Sequence, residues 1–152
     1  MAAPADTIHA TTVAIDGRGV LLCGASGAGK SDLALRLLDE GALLVADDRT
    51  ILSRHGNALL ATVPDALAGL LEVRGLGVVR LDPVRVVPSA TIALVVDLVA
   101  DRAAIRRMPE PASVDLRGLV LPLLTLYPFE PSATARLRLA LTLCSHPERR
   151  IE

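Results

Sequence analysis

Gly24-Ala25-Ser26-Gly27-Ala28-Gly29-Lys30-Ser31 matches the pattern G-x-x-x-x-G-K-[ST] and lies between an expected strand and an expected helix. Residues of these types at this spacing bind a phosphate chain. The glycines let successive backbone N–H groups turn inward, and the helix N-terminus adds positive potential. Lys30 then reaches the outer phosphates, and the Ser31 hydroxyl is offered to Mg2+. The competing explanation is a glycine-rich turn that matches by chance. Against it, Lys30 is the only lysine in the chain, while fifteen arginines carry the rest of the positive charge.

Phosphoryl chemistry also calls for carboxylates at strand ends, and two places qualify. Asp47-Asp48 directly follows an apolar run. Neighbours on a strand point to opposite faces, so one aspartate enters the site and the other orients a neighbour, unless the chain turns there. The alternative is a solvated pair at a turn. Asp97, near the end of a second apolar run, has the placement of a Walker B aspartate and equally that of an ordinary polar strand end. Glu72 and Arg74 could supply a metal ligand and a charge clamp, but on spacing alone they read as a surface ion pair of little energy. His9 taken alone reads as a packed or surface histidine. His55 and His146 fit a turn and the C-terminal tail, and Arg106-Arg107 reads as a solvated pair.

The elements that must position these groups follow from periodicity. Ile8 to Ile15 and Val20 to Cys23 read as strands joined by an Asp16-Gly17-Arg18-Gly19 turn. Lys30 to Glu40 reads as a helix burying Leu33, Ala34, Leu37 and Leu38, with Asp32 in the first turn and Gly41 as its C-cap. Ala42 to Ala46 is a strand, and Thr50 to Ser53 with Ala58 to Val63 forms a hairpin about His55-Gly56-Asn57. Ala66 to Leu71 reads as a short helix and Glu72 to Gly77 as a shaped loop. Thr91 to Val99 is the strongest strand, and Leu119 to Leu126 is demoted towards an edge by Pro122. Ser132 is placed to cap a last helix with Leu137, Ala140, Leu141 and Cys144 on its inner stripe. The expected fold is α/β, a mixed sheet around the phosphate-loop strand with flanking helices, in one domain over residues 1–152.

Composition narrows the function classes. The chain has 152 residues, 51% of them apolar, with one Tyr, one Phe and no Trp. Disorder is excluded, and the core must be aliphatic. A net charge of −1 with so few aromatics leaves neither a basic footprint nor a stacking surface for nucleic acid. The longest charge-free run, Gly118 to Phe129, is far short of the ~20 residues of a spanning helix. Met1 to Asp6 lacks the basic and apolar blocks of a signal peptide, which points to a cytoplasmic protein with Cys23 and Cys144 as reduced, idle thiols. With no Gln, a single Asn and no second Lys, a guanine-reading GTPase is excluded.

Four segments in order, Ile8-His9, Gly24 to Ser31, Val45-Ala46-Asp47-Asp48 and Leu71-Glu72-Val73-Arg74-Gly75-Leu76-Gly77, together resemble the catalytic domain of HPr kinase/phosphorylase from Ile8 to about Leu143. The family is the bacterial protein serine kinase of the phosphotransferase system. The resemblance implies an α/β fold of the HPr kinase C-terminal type, ATP and Mg2+ as cofactors, and HPr or an HPr-like carrier as protein partner. It also implies a homo-oligomer, with hexamers among the relatives. Position by position it implies that Asp48 takes the proton of the acceptor serine, that Glu72 is a magnesium ligand alongside Ser31 and Asp47, and that His9 is an active-site histidine. Arg107 corresponds more loosely to an arginine that precedes a leucine in the family. The resemblance overrides the bland readings of His9 and Glu72. The chain looks like the short form, without a separate N-terminal domain. Where the family has a proline, a lysine and a Gly-Arg tied to phosphate-driven dephosphorylation, this sequence reads Pro128-Phe129-Glu130-Pro131-Ser132-Ala133, so the phosphorylase reaction lacks its signature. Two alternatives stand beside the protein kinase: a small-molecule kinase, for which no arginine-rich lid is present, and a nucleotide-sensing module without catalysis.

Overall fold

The computed structural model describes residues 5–151. For residues 1–4, the expectation that Met1 to Asp6 is no leader lies outside the described residues. Strands β1 (Ala5–Ile15) and β2 (Arg18–Cys23) pair antiparallel with Ile15 opposite Arg18. Only Asp16 and Gly17 are left for the loop, both at positive φ of 49° and 78°. This is the type I′ geometry that matches strand twist. The turn is two residues shorter than the expected Asp16 to Gly19, because Arg18 and Gly19 already belong to the ladder.

Helix α1 (Lys30–Asp39) follows the phosphate loop and buries Leu33, Ala34, Leu37 and Leu38, as its 3.6-residue spacing dictates. The chain returns through β3 (Leu43–Ala46), β4 (Arg49–His55) and β5 (Ala58–Thr62). β3 and β4 lie along the same neighbour, β1, with Ala46 opposite Thr12 and Arg49 opposite His9. Asp47 and Asp48 are thus the break in what is otherwise one strand. β8 (Ser89–Leu98) is the central strand, parallel to β2 on one side and to β10 (Leu119–Leu126) on the other, and antiparallel to β5 at its start. The order β2-β1-β4-β5-β8-β10-β9 therefore curls until β8 meets β2 again.

That curl creates two apolar layers. Inside it lie Ala10, Leu21, Val45, Leu52, Leu59, Ile92 and Val95. Outside it, Val13, Val20, Leu22, Leu94 and Val96 meet α1 and α2 (Ala133–Ser145) through Leu33, Leu37, Leu137 and Leu141. Opposite faces of the same strands fill both layers, which is why β2 reads as a continuous apolar run.

Five expectations are corrected. Ala66 to Leu71 is not a helix: a single 3-10 turn at Asp65–Leu67 leads into β6 (Leu70–Val73). A six-residue apolar run does not separate helix from strand, and the fully buried Leu71 decides for a strand docked on α1. Glu72 to Gly77 is not a free loop but a hairpin, with β7 (Gly77–Arg80) pairing back on β6 and Leu76 N–H bonding Val73 C=O at 2.9 Å. β10 is not the edge, because β9 (Ala112–Leu116) covers it. Pro122 is tolerated since the β8 ladder begins only at Leu123. Ser132 does precede α2, yet its hydroxyl makes no capping bond. Cys144 is half-buried rather than central, and both cysteines are free thiols. Among the described residues no helix is long and apolar enough to cross a membrane.

Candidate active site

The phosphate loop closes on its own lysine. Lys30 is 7% exposed, and its Nζ donates to the carbonyls of Gly24 at 2.7 Å and Ala25 at 3.2 Å. Gly29 stands at the start of α1 with φ 101°, and no side chain caps the helix there. A Cβ at Gly29 would lie 2.9 Å from the Phe129 ring, so glycine is required both by φ and by this close approach. Tyr127 and Phe129, the chain's only aromatic pair, meet edge to face with centroids 5.7 Å apart. Their segment is tied down by Arg36 donating to the Pro128 carbonyl and by Glu130 pairing with Arg102 and Arg136.

Behind the loop, Asp47 is 8% exposed, and both of its carboxylate oxygens accept hydrogen bonds. Its Oδ1 accepts the Ser31 hydroxyl at 2.6 Å and the Thr11 hydroxyl at 3.0 Å, and its Oδ2 accepts the Glu72 N–H at 2.9 Å. Asp48 turns away. Its φ is 64°, and Arg49 N–H bonds the Asp47 carbonyl at 2.7 Å across it. That is a tight γ-turn with a strained central residue. The turn sends the Asp48 carboxylate outward, 55% exposed, to within 3.7 Å of Nδ1 of the His9 imidazole. Of the two alternatives for an adjacent pair, the turning chain is the one realised.

Asp97 is exposed on β8 opposite Cys23, whereas the carboxylate that Ser31 bonds is that of Asp47. The Cys23 thiol is pushed up to about 11, chiefly by burial and next by the Asp97 charge, with Lys30 opposing. Glu72 brings its backbone to Asp47 while its side chain is exposed on β6. Arg107 is exposed beyond the 3-10 turn Arg102–Ala104, and no hydrogen bond or ion pair joins it to these groups among the described residues. Thr11 was absent from the sequence-level candidates. The only signal for it is a hydroxyl inside an apolar strand, which at 0% exposure must find a partner.

Oxygen donors suit Mg2+, which keeps several waters and takes one or two protein ligands plus phosphate oxygens. The adjoining Ser31 hydroxyl and Asp47 carboxylate fit that demand. Among the described residues no group of three or more His, Cys, Asp and Glu side chains forms an all-protein metal cage.

The family model described as HPr Serine kinase C-terminal domain matches residues 1–115. The chain belongs to that family. HPr kinase/phosphorylase of Mycoplasmopsis pulmonis is 39% identical over 95 residues, 60% of this chain and 31% of the relative. That of Halalkalibacterium halodurans is 42% identical over 101 residues, 63% of this chain and 33% of the relative. The chain thus spans about a third of the length of the curated relatives it matches. A solved structure titled as the Hpr(Ser) kinase/phosphatase from Coxiella burnetii superposes with TM-score 0.76 at 27% identity, covering 95% of this chain and 96% of that one. The HPr kinase C-terminal fold, with its curled mixed sheet and two helices, is the fold of this chain. The family match covers the phosphate loop, both aspartates, Glu72 and Arg107.

Proposed function

We propose that the chain is an ATP-dependent protein serine kinase that phosphorylates HPr or an HPr-like carrier. The observation that carries the reading is the side-by-side placement of a phosphate loop and a turned-out aspartate, joined through Asp47. Phosphoryl transfer has a loose transition state with charge on the equatorial oxygens, so positioning and neutralisation are most of the catalysis. Backbone N–H groups of Gly27 to Ser31 and the Lys30 ammonium bind the triphosphate. Lys30 exchanges the Gly24 and Ala25 carbonyls for phosphate oxygens. Mg2+, held by Ser31, Asp47 and Glu72, supplies charge neutralisation at the phosphates when bound.

Asp48 accepts the proton of the acceptor serine as its oxygen bonds the γ-phosphorus and the bond to the β-phosphate oxygen breaks, releasing ADP. His9, beside Asp48, holds that carboxylate towards the acceptor side. Arg107 offsets charge at the transferring group once the carrier is docked. The exposure of Asp48 fits an acceptor delivered on another protein, since a serine side chain must reach it from outside. Dephosphorylation, the second reaction named in the relatives, is not part of the proposal, because Pro128-Phe129-Glu130-Pro131-Ser132-Ala133 departs from the segment that the resemblance ties to it.

Intact-mass analysis of HPr after incubation with the chain, ATP and Mg2+ tests the reading. One phosphate should appear on a serine of HPr. Asp48→Asn should keep nucleotide binding and lose transfer by about 10² to 10⁴-fold, the usual contribution of a positioned base. Unchanged transfer in that variant would refute the assignment.

A further inference from the structure

Asp47 and Asp48 do different work, and one side chain touches both. The Thr11 hydroxyl donates its single hydrogen to Asp47 Oδ1 at 3.0 Å and accepts the Asp48 N–H at 3.1 Å. With Ser31 donating to the same Asp47 oxygen, a continuous chain runs from the phosphate loop to the backbone of the outward aspartate. We infer that Thr11 is a positioning residue: its hydroxyl locks the γ-turn at Asp48 to the Asp47 carboxylate, and so aims the proton acceptor at the phosphate site.

Three observations support this. First, the turn is strained, with φ 64° at Asp48, and a strained turn persists only where its surroundings over-determine it. The ties across it are the Ala10 N–H on the Asp48 carbonyl at 3.1 Å, the Arg49 N–H on the Asp47 carbonyl, and Thr11. Only the Thr11 tie runs through a side chain, and only it reaches the Asp47 carboxylate. Second, Thr11 is 0% exposed, so no water replaces its hydroxyl from bulk. Third, Asp47 accepts from Thr11 and the Glu72 N–H as well as from Ser31, so its anchorage to the turn does not depend on Ser31 alone.

The neighbouring Thr12 supplies an internal control. It is equally buried, but its hydroxyl pairs with Thr50 at 2.8 Å and touches neither aspartate. The inference rests on the kinase reading above, and the test separates the two. Steady-state transfer to HPr, thermal melting and amide exchange at Asp48 are measured for wild type, Thr11→Val, Thr11→Ala, Thr11→Ser and Thr12→Val. Thr11→Val should lower kcat by roughly tenfold to hundredfold, as small misplacement of a reacting group does. Its KM for ATP should stay within about twofold, and its Asp48 amide should exchange at least about tenfold faster. Thr11→Ser should restore both, and Thr12→Val should melt earlier with kcat kept.

A Thr11→Val kcat equal to wild type, a Thr11→Ser as poor as Thr11→Val, or a Thr12→Val loss of kcat equal to that of Thr11→Val would each overturn the inference. So would failure of both Thr11→Val and Thr11→Ala to fold, which would make Thr11 a structural residue only. A wild-type chain that transfers nothing to HPr overturns the kinase reading instead. In that case an Asp48 amide whose exchange is the same in wild type and Thr11→Val removes the bridge as well.

Discussion

The two halves of the candidate site are built differently. On the phosphate side, Lys30 and Asp47 are buried, every polar atom that matters has a partner, and the residues sit at the junctions of β2, α1, β3 and β1. On the proposed acceptor side, Asp48, His9 and Arg107 are exposed, and His9 Nδ1 lies 3.7 Å from an Asp48 carboxylate oxygen. A small polyanion of fixed geometry can be met by a preorganised cage, which costs no reorganisation during the reaction. A protein acceptor must dock first, so the groups that serve it stand in water until it arrives. The contrast teaches that the phosphate side should respond to substitution through affinity and stability, and the acceptor side through transfer alone.

Lys30→Ala makes the largest break in the comparison. Loss of the one ammonium in the cage should reduce transfer by about 10² to 10³-fold, together with ATP affinity measured by calorimetry. Retained affinity would place the cage's strength elsewhere. Next, the Cys23 thiol, raised from 9.0 to about 11 by burial and Asp97, should be close to inert. The neutral form is favoured, so at pH 9 an ordinary thiol is half ionised while Cys23 is about 1% thiolate. Alkylation should therefore run roughly fiftyfold slower than for a free thiol at that pH, and should recover only as pH approaches 11. A fast reaction would show that the phosphate side opens.

Gly29→Ala should cost about 1–3 kcal/mol of stability by denaturant melting, from φ 101° plus the Phe129 contact. The double variant with Phe129→Ala should recover only the contact part, which separates backbone strain from crowding. The smallest effect is expected at Arg107→Ala. ATP affinity should stay within about twofold and transfer should fall about tenfold, the worth of one hydrogen bond to a charged group. Loss of ATP affinity there would move Arg107 to the phosphate side of the contrast.

The same contrast governs what could be read from the sequence. The phosphate loop was legible because its chemistry is local: eight consecutive residues carry strand end, cradle and helix start. Asp47-Asp48 was legible as a strand end, but which aspartate enters depended on a γ-turn that no residue type announces. Thr11 was invisible because its partner lies 36 residues away, brought near only by β1 pairing with β3 and β4. Leu70 to Arg80 was misread as a short helix and a loop, since four-residue strands give periodicity too little length. β9 was missed because Ala112-Ser113-Val114-Asp115-Leu116 is a mostly solvent-facing edge with little apolar signal. Asp97 had two readings in the sequence for a related reason: a strong strand says where its end is, not which face its last polar residue takes.

Lys30, bonded to Gly24 and Ala25, makes the resting loop self-contented. The proposed entry of a nucleotide is therefore a trade rather than a filling: two carbonyls must surrender the cation before an outer phosphate can claim it. On the proposed reading, the loop keeps its own positive charge in hand until a phosphate outbids the two carbonyls.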